Sequence, residues 1–155
     1  MRGSIFSRWI LSRVVRSALV FEKDSIELYR RLKDSAVGGL RRDIGHLLEE
    51  EEMHWRILTE ASNGRLNIDE LEKALRAHLY ERLPDISPLS PESLARVGDE
   101  LSLALEEEKK TFIFYSNLRR ISKIPAVKRA FEILSAMERE HADILSRLLG
   151  RVPQY

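Results

Sequence analysis

The chain has 155 residues, 33% of them charged, and a net charge of +1. It is long enough to bury one core and too evenly balanced to present a chain-wide basic field to nucleic acid or to behave as a disordered acidic tail. There is no cysteine, which excludes disulfides, thiol chemistry and cysteine-ligated zinc or iron–sulfur centres within these residues. No apolar run approaches the ~18–20 residues that a membrane span needs, and with nothing requiring an oxidising compartment a cytoplasmic location is expected.

Helix formers dominate, and no alternating strand pattern of useful length occurs. A first long helix is expected over about Ile5–Ala36, where Leu11, Val15, Ala18, Leu19, Ile26, Tyr29 and Leu32 recur at three- and four-residue steps. The chain's first 21 residues hold Arg2, Arg8, Arg13 and Arg16, several serines and no acid before Glu22. That composition suits an organelle presequence or a basic surface helix. The first turns of the helix are the more economical reading, since without them Glu22 would sit at a frayed end.

Gly38-Gly39 breaks this helix, and a second runs from about Leu40 to Ala61, closed by Asn63-Gly64. A shorter helix is expected from about Asp69 to Glu81, with Asn67 or Asp69 as its cap. The segment Leu83-Pro84-Asp85-Ile86-Ser87-Pro88 cannot be helical throughout. Ser90 caps the third long helix, Pro91 suits its first turn, and the helix extends over about 91–121. Pro125 opens the fourth, over about 125–149, which ends near Gly150. Two hairpins of long helices joined by a crossover that carries its own short helix describe an all-α, four-helix bundle in a single domain spanning 1–155.

Glu-x-x-His occurs twice on these helices, as Glu51/His54 and Glu138/His141. Each is preceded by a lone glutamate with a tyrosine seven residues on, Glu22/Tyr29 and Glu108/Tyr115. Residues three apart on a helix share a face, so a Glu and a His so placed can grip one cation while the Glu reaches a second. Two such pairs plus one Glu from each remaining helix make up the ligand set of a di-metal carboxylate site, suited to iron or manganese. The phase within the glutamate runs is set by neighbours. Only Glu51 of Glu49–Glu52 lies three before His54, and Glu108 is selected from Glu106–Glu108 by Tyr115; the other glutamates are expected on a solvated face.

The chain also repeats itself. The shift of 86 residues that carries Glu22 onto Glu108 pairs Ala18/Ala104, Leu19/Leu105, Tyr29/Tyr115 and Leu32/Leu118. A shift of 87 carries Glu51 onto Glu138 and pairs Leu47/Leu134, His54/His141, Ile57/Ile144 and Leu58/Leu145. Matched inward-facing residues in two hairpins imply pseudo-twofold symmetry.

On Glu22–Tyr29, Glu51–His54, Glu108–Tyr115 and Glu138–His141 the chain resembles the rubrerythrin-like branch of the ferritin-like superfamily. The resemblance implies a ferritin-like bundle, often a homodimer, with two iron ions held by Glu22, Glu51, His54, Glu108, Glu138 and His141. Glu51 and Glu138 would bridge, and Tyr29 and Tyr115 would donate hydrogen bonds to the carboxylates. It implies reaction with O2 or H2O2.

Two departures accompany it. Rubrerythrins carry a further carboxylate one turn beyond the third helix's ligand, where Thr111 stands here, and Ser25 is its counterpart on the first helix. That carboxylate serves a redox-linked ligand shift, so efficient peroxide reduction does not follow from the resemblance. No rubredoxin module is present in these residues, so a catalytic cycle needs an external electron-donor protein.

The expected function is that of a di-iron oxidoreductase of ferroxidase or peroxidase type, with a non-catalytic metal-binding module or iron sensor acting through a protein partner as the alternative. His46 and His78 lack matching partners and read as ordinary histidines; Trp9 and Trp55 read as packing or dimer-contact residues.

Overall fold

The computed structural model describes residues 2–78 and 86–154, with side chains at position 9 and from position 11 onward. Among these residues lie α1 (Arg2–Ser35), α2 (Gly38–Ser62), α3 (Ile68–Ala77), α4 (Pro91–Ile121) and α5 (Pro125–Leu148), with no strand. The side chains of Arg2 and Arg8, and the expected loop residues 83–85, lie outside the described residues.

The helix ends follow local chemistry. Ser90 Oγ accepts the Ser93 amide at 3.2 Å with Pro91 in the first turn of α4. Asn67, not Asp69, caps α3: its Oδ1 accepts the amides of Asp69 and Glu70 at 3.0 Å, and Glu70 Oε2 accepts the Asn67 amide in return. α3 stops at Ala77, short of the expected Glu81, with His78 as its C-cap; residues 79–81 lie outside the described set.

α2 and α5 terminate by one device. Gly64 (φ 72°) and Gly150 (φ 66°) adopt the left-handed conformation. Their amides reach back to Ala61 and Arg147, and the next amides to Glu60 and Ser146, which is the Schellman pattern.

Two apolar clusters set the chain direction of each helix. One gathers Tyr29 and Leu32 from the end of α1, Ile44 and Leu47 from the start of α2, Val97 and Leu101 from the start of α4, and Leu145 and Leu148 from the end of α5. The other gathers Val15 and Ala18, Leu58 and Ala61, Tyr115, and Phe131 and Leu134 from the opposite halves of the same helices, with Leu71 and Leu75 of α3. α2 and α4 therefore run alike, antiparallel to α1 and α5. The crossover leaves α2 in the second cluster and reaches the first, where Ile86 and Leu89 pack and the Leu89 amide bonds the Leu148 carbonyl at 3.0 Å. Glu72 ties α3 to α5 by accepting from Arg76 and Arg129, both at 2.8 Å.

Candidate metal centre

Between the two apolar clusters lies a polar layer. Glu22 falls between Ala18 and Ile26, Glu51 and His54 between Leu48 and Leu58, Glu108 between Leu105 and Tyr115, and Glu138 and His141 between Leu134 and Leu145. All six side chains are at most 1% exposed. Amphipathic periodicity turns the same helix faces inward above and below them, so the glutamates and histidines inherit that orientation.

The six form two overlapping groups, each with ligand atoms within 4.8 Å of one another: Glu22, Glu51, His54 and Glu138, and Glu51, Glu108, Glu138 and His141. Glu51 and Glu138 belong to both. His54 Nδ1 lies 3.5 Å from Glu22 Oε2, 3.6 Å from Glu51 Oε2 and 3.4 Å from Glu138 Oε1. His141 Nδ1 lies 2.6 Å from Glu51 Oε1, 3.7 Å from Glu108 Oε2 and 3.9 Å from Glu138 Oε2. The two imidazoles are nearly parallel, with centroids 5.9 Å apart.

The outer carboxylates are held by tyrosines from the facing helix. Tyr29 of α1 donates to Glu108 Oε1 at 2.5 Å, and Tyr115 of α4 donates to Glu22 Oε1. The remaining oxygens of these glutamates, Glu22 Oε2 and Glu108 Oε2, both oxygens of Glu138, and His54 Nδ1 are buried without a hydrogen-bond partner. Buried polar atoms are seldom left so. Here they converge from four helices, and their oxygen and imidazole donors fit iron.

The electrostatics of the metal-free layer show the same crowding. Burial and the adjacent Glu51 raise the Glu22 carboxyl to about 8. Burial, with Glu51, Glu108 and Glu22 nearby, raises Glu138 well above the carboxylate range. Burial alone would also raise Glu51, but the charge and hydrogen bond of His141, and then His54, hold it below that range.

Burial would lower both histidines, yet their carboxylate partners raise them well above the usual imidazole value. Tyr29 and Tyr115 are raised by burial and by Glu108 and Glu22, and so remain neutral donors. Without cations, this layer holds protons that cations can displace.

The solvated face expected for the other glutamates holds for Glu49 and Glu106, whose side chains are 75% and 61% exposed. It fails for Glu50. This side chain is 18% exposed, and its Oε2 lies 2.6 Å from His141 Nε2. The reason is helix phase: Glu50 follows the buried Leu47 by three residues and precedes His54 by four, so it borders the inner face.

Met137 is the second residue that ligand spacing does not single out; its Sδ lies 3.0 Å from His54 Nε2. The signal for both was the internal repeat, whose shift of 87 carries Glu50 onto Met137. His46, which faces Glu49 at 3.8 Å, and His78, at the end of α3, lie outside the cluster. Trp9 is 55% exposed with the Arg13 guanidinium 4.8 Å from its ring centroid, and Trp55 is 40% exposed.

Four long helices of this topology, a helix-bearing crossover and a buried glutamate–histidine layer compatible with iron define a ferritin-like helical bundle. The sequence model of the Rubrerythrin family matches residues 99–154, so this part of the chain is similar to rubrerythrins. The match takes in Glu108, Tyr115, Glu138 and His141; Glu22, Tyr29, Glu51 and His54 lie outside it and relate to it through the repeat. No curated protein and no solved structure matches the chain. Among the described residues no helix is long and apolar enough to cross a membrane.

Proposed function

We propose that the layer binds two iron ions and that the protein is a non-haem di-iron oxidoreductase acting on Fe(II), O2 or H2O2. Glu22 and His54 would hold one ion and Glu108 and His141 the other, with Glu51 and Glu138 shared between them. The observation that carries this reading is the membership of Glu51 and Glu138 in both buried groups. The four carboxylates carry −4, which two divalent ions neutralise. Manganese accepts the same donors, and metal analysis of protein purified without added metal distinguishes them.

Iron held in the layer would supply the two electrons that reduction of the oxidant requires. The chain's own residues prepare that reduction. Tyr29 and Tyr115 anchor one oxygen of each terminal glutamate and leave the other free for the ion. The apolar clusters on either side exclude water from the layer.

The test is anaerobic loading with Fe(II), followed by O2 or H2O2. Two Fe(II) bound per chain, and oxidation faster than that of free iron, support the reading. Failure to bind, or oxidation no faster than in buffer, overturns it.

Thr111 favours a second reading, a non-catalytic metal-binding module or iron sensor. Its hydroxyl bonds the Glu107 carbonyl at 2.9 Å, and it offers no carboxylate for a ligand shift. Steady-state oxidant consumption with an external electron donor would dispose of that alternative.

A further inference from the structure

The repeat that makes the two halves of the centre alike breaks at one place beside each imidazole. Glu50 and Met137 correspond under the shift of 87 residues, as do His54 and His141. Each sits against the histidine of the opposite helix. Glu50 Oε2 is 2.6 Å from His141 Nε2, and Met137 Sδ is 3.0 Å from His54 Nε2. On both rings the other nitrogen, Nδ1, faces the carboxylate layer.

With an ion on each Nδ1, each Nε2 would carry the ring's remaining proton and donate it to its neighbour. The two acceptors differ in kind. A carboxylate accepting from Nε2–H orients the imidazole and makes its other nitrogen a stronger donor. A thioether is a weak acceptor and adds little of either. Both supporting side chains are largely shielded: Glu50 is 18% exposed and Met137 is 7% exposed.

We infer that the two ion positions are unequal, and that Glu50 is the positioning residue that makes the His141 position the tighter one. The inference rests on the two-ion reading above and adds an order of filling to it. The His141 position fills first; the His54 position, supported by Met137, fills second and releases its ion more readily.

The experiment is an anaerobic titration of metal-free protein with Co(II), followed by calorimetry and visible absorption. The wild type is expected to bind two ions in steps at least about 10-fold apart, His141→Ala removing the tight step and His54→Ala the weak one. Glu50→Gln keeps an acceptor without the charge and should weaken the tight step about 10-fold, and Glu50→Ala about 100-fold, the span usual for partners behind a metal-bound histidine. Met137→Gln should strengthen the weak step and narrow the gap. Far-UV circular dichroism checks that the helices persist, and a general packing defect would weaken both steps together.

Two wild-type ions of equal affinity would overturn the inference while leaving the two-ion reading intact, and that result needs no variant to fold. An unchanged tight step in Glu50→Ala would overturn it too. No bound ion at all would overturn both.

Discussion

Tyr29 on α1 donates its hydroxyl to Glu108 on α4 at 2.5 Å, while Tyr115 on α4 donates to Glu22 on α1. Each tyrosine thus serves the half of the centre to which it does not belong in sequence. The crossed pair links the two hairpins through the polar layer, where apolar packing is interrupted. Each phenol is fully buried, and its ring packs in the apolar cluster beside the layer.

Removing one hydroxyl should therefore cost more than its own hydrogen bond. Tyr29→Phe leaves Glu108 Oε1 buried and unpartnered, so a loss of about 1–3 kcal/mol is expected for the metal-free protein. Urea denaturation checks this, and Tyr115→Phe should behave alike through Glu22. A loss within ±0.5 kcal/mol, the range of an ordinary surface change, would show that the crossed bonds contribute nothing.

Shared and unshared glutamates should differ in stoichiometry. Glu51→Ala removes a donor from both groups and is expected to abolish binding of the pair. Glu22→Ala touches one group only and should leave one ion per chain. Elemental analysis after loading and desalting reads the difference; equal retention in the two variants would argue against a bridging role for Glu51.

The metal-free protein should lose stability as pH rises. Burial and the adjacent Glu51 raise Glu22 to about 8 in the fold, against 4.5 for a free glutamate, so between those values the folded state holds a proton that the unfolded chain has released. The raised histidines act in the same sense, their contribution fading as pH climbs through their folded values. Glu51, held low, contributes its stability above 4.5 and loses it only in acid.

Metal affinity runs the other way, because the ions displace these protons. The rise in melting temperature on adding metal should grow from pH 5.5 to 8, with proton release detectable in weak buffer. A metal-induced rise that shrinks over this range would contradict the assignment.

The crossover helix should loosen independently of the centre. Glu72 accepts from Arg76 on its own helix and from Arg129 on α5, and so forms an ionic tie between α3 and α5. Glu72→Ala is expected to speed hydrogen exchange within Ile68–Ala77 while leaving protection around Glu51 and Glu138 unchanged. Faster exchange throughout the bundle would mean that α3 supports the whole fold.

Local and periodic features were legible in the chain by itself. The four long helices followed from three- and four-residue apolar spacing, and their ends from Ser90, Asn67, Gly64 and Pro91, since caps and breakers act within a turn. The six candidate ligands were also within reach, because Glu-x-x-His spacing and a repeat express helix geometry directly. Tertiary structure alone decided which helix faces which. That choice sends Tyr29 to Glu108, brings Glu50 to His141 but Met137 to His54, and sets Glu72 against Arg129. These partners lie from 57 to 91 residues apart, a separation over which no helical period carries information, and only the packing of the two hairpins brings them into contact.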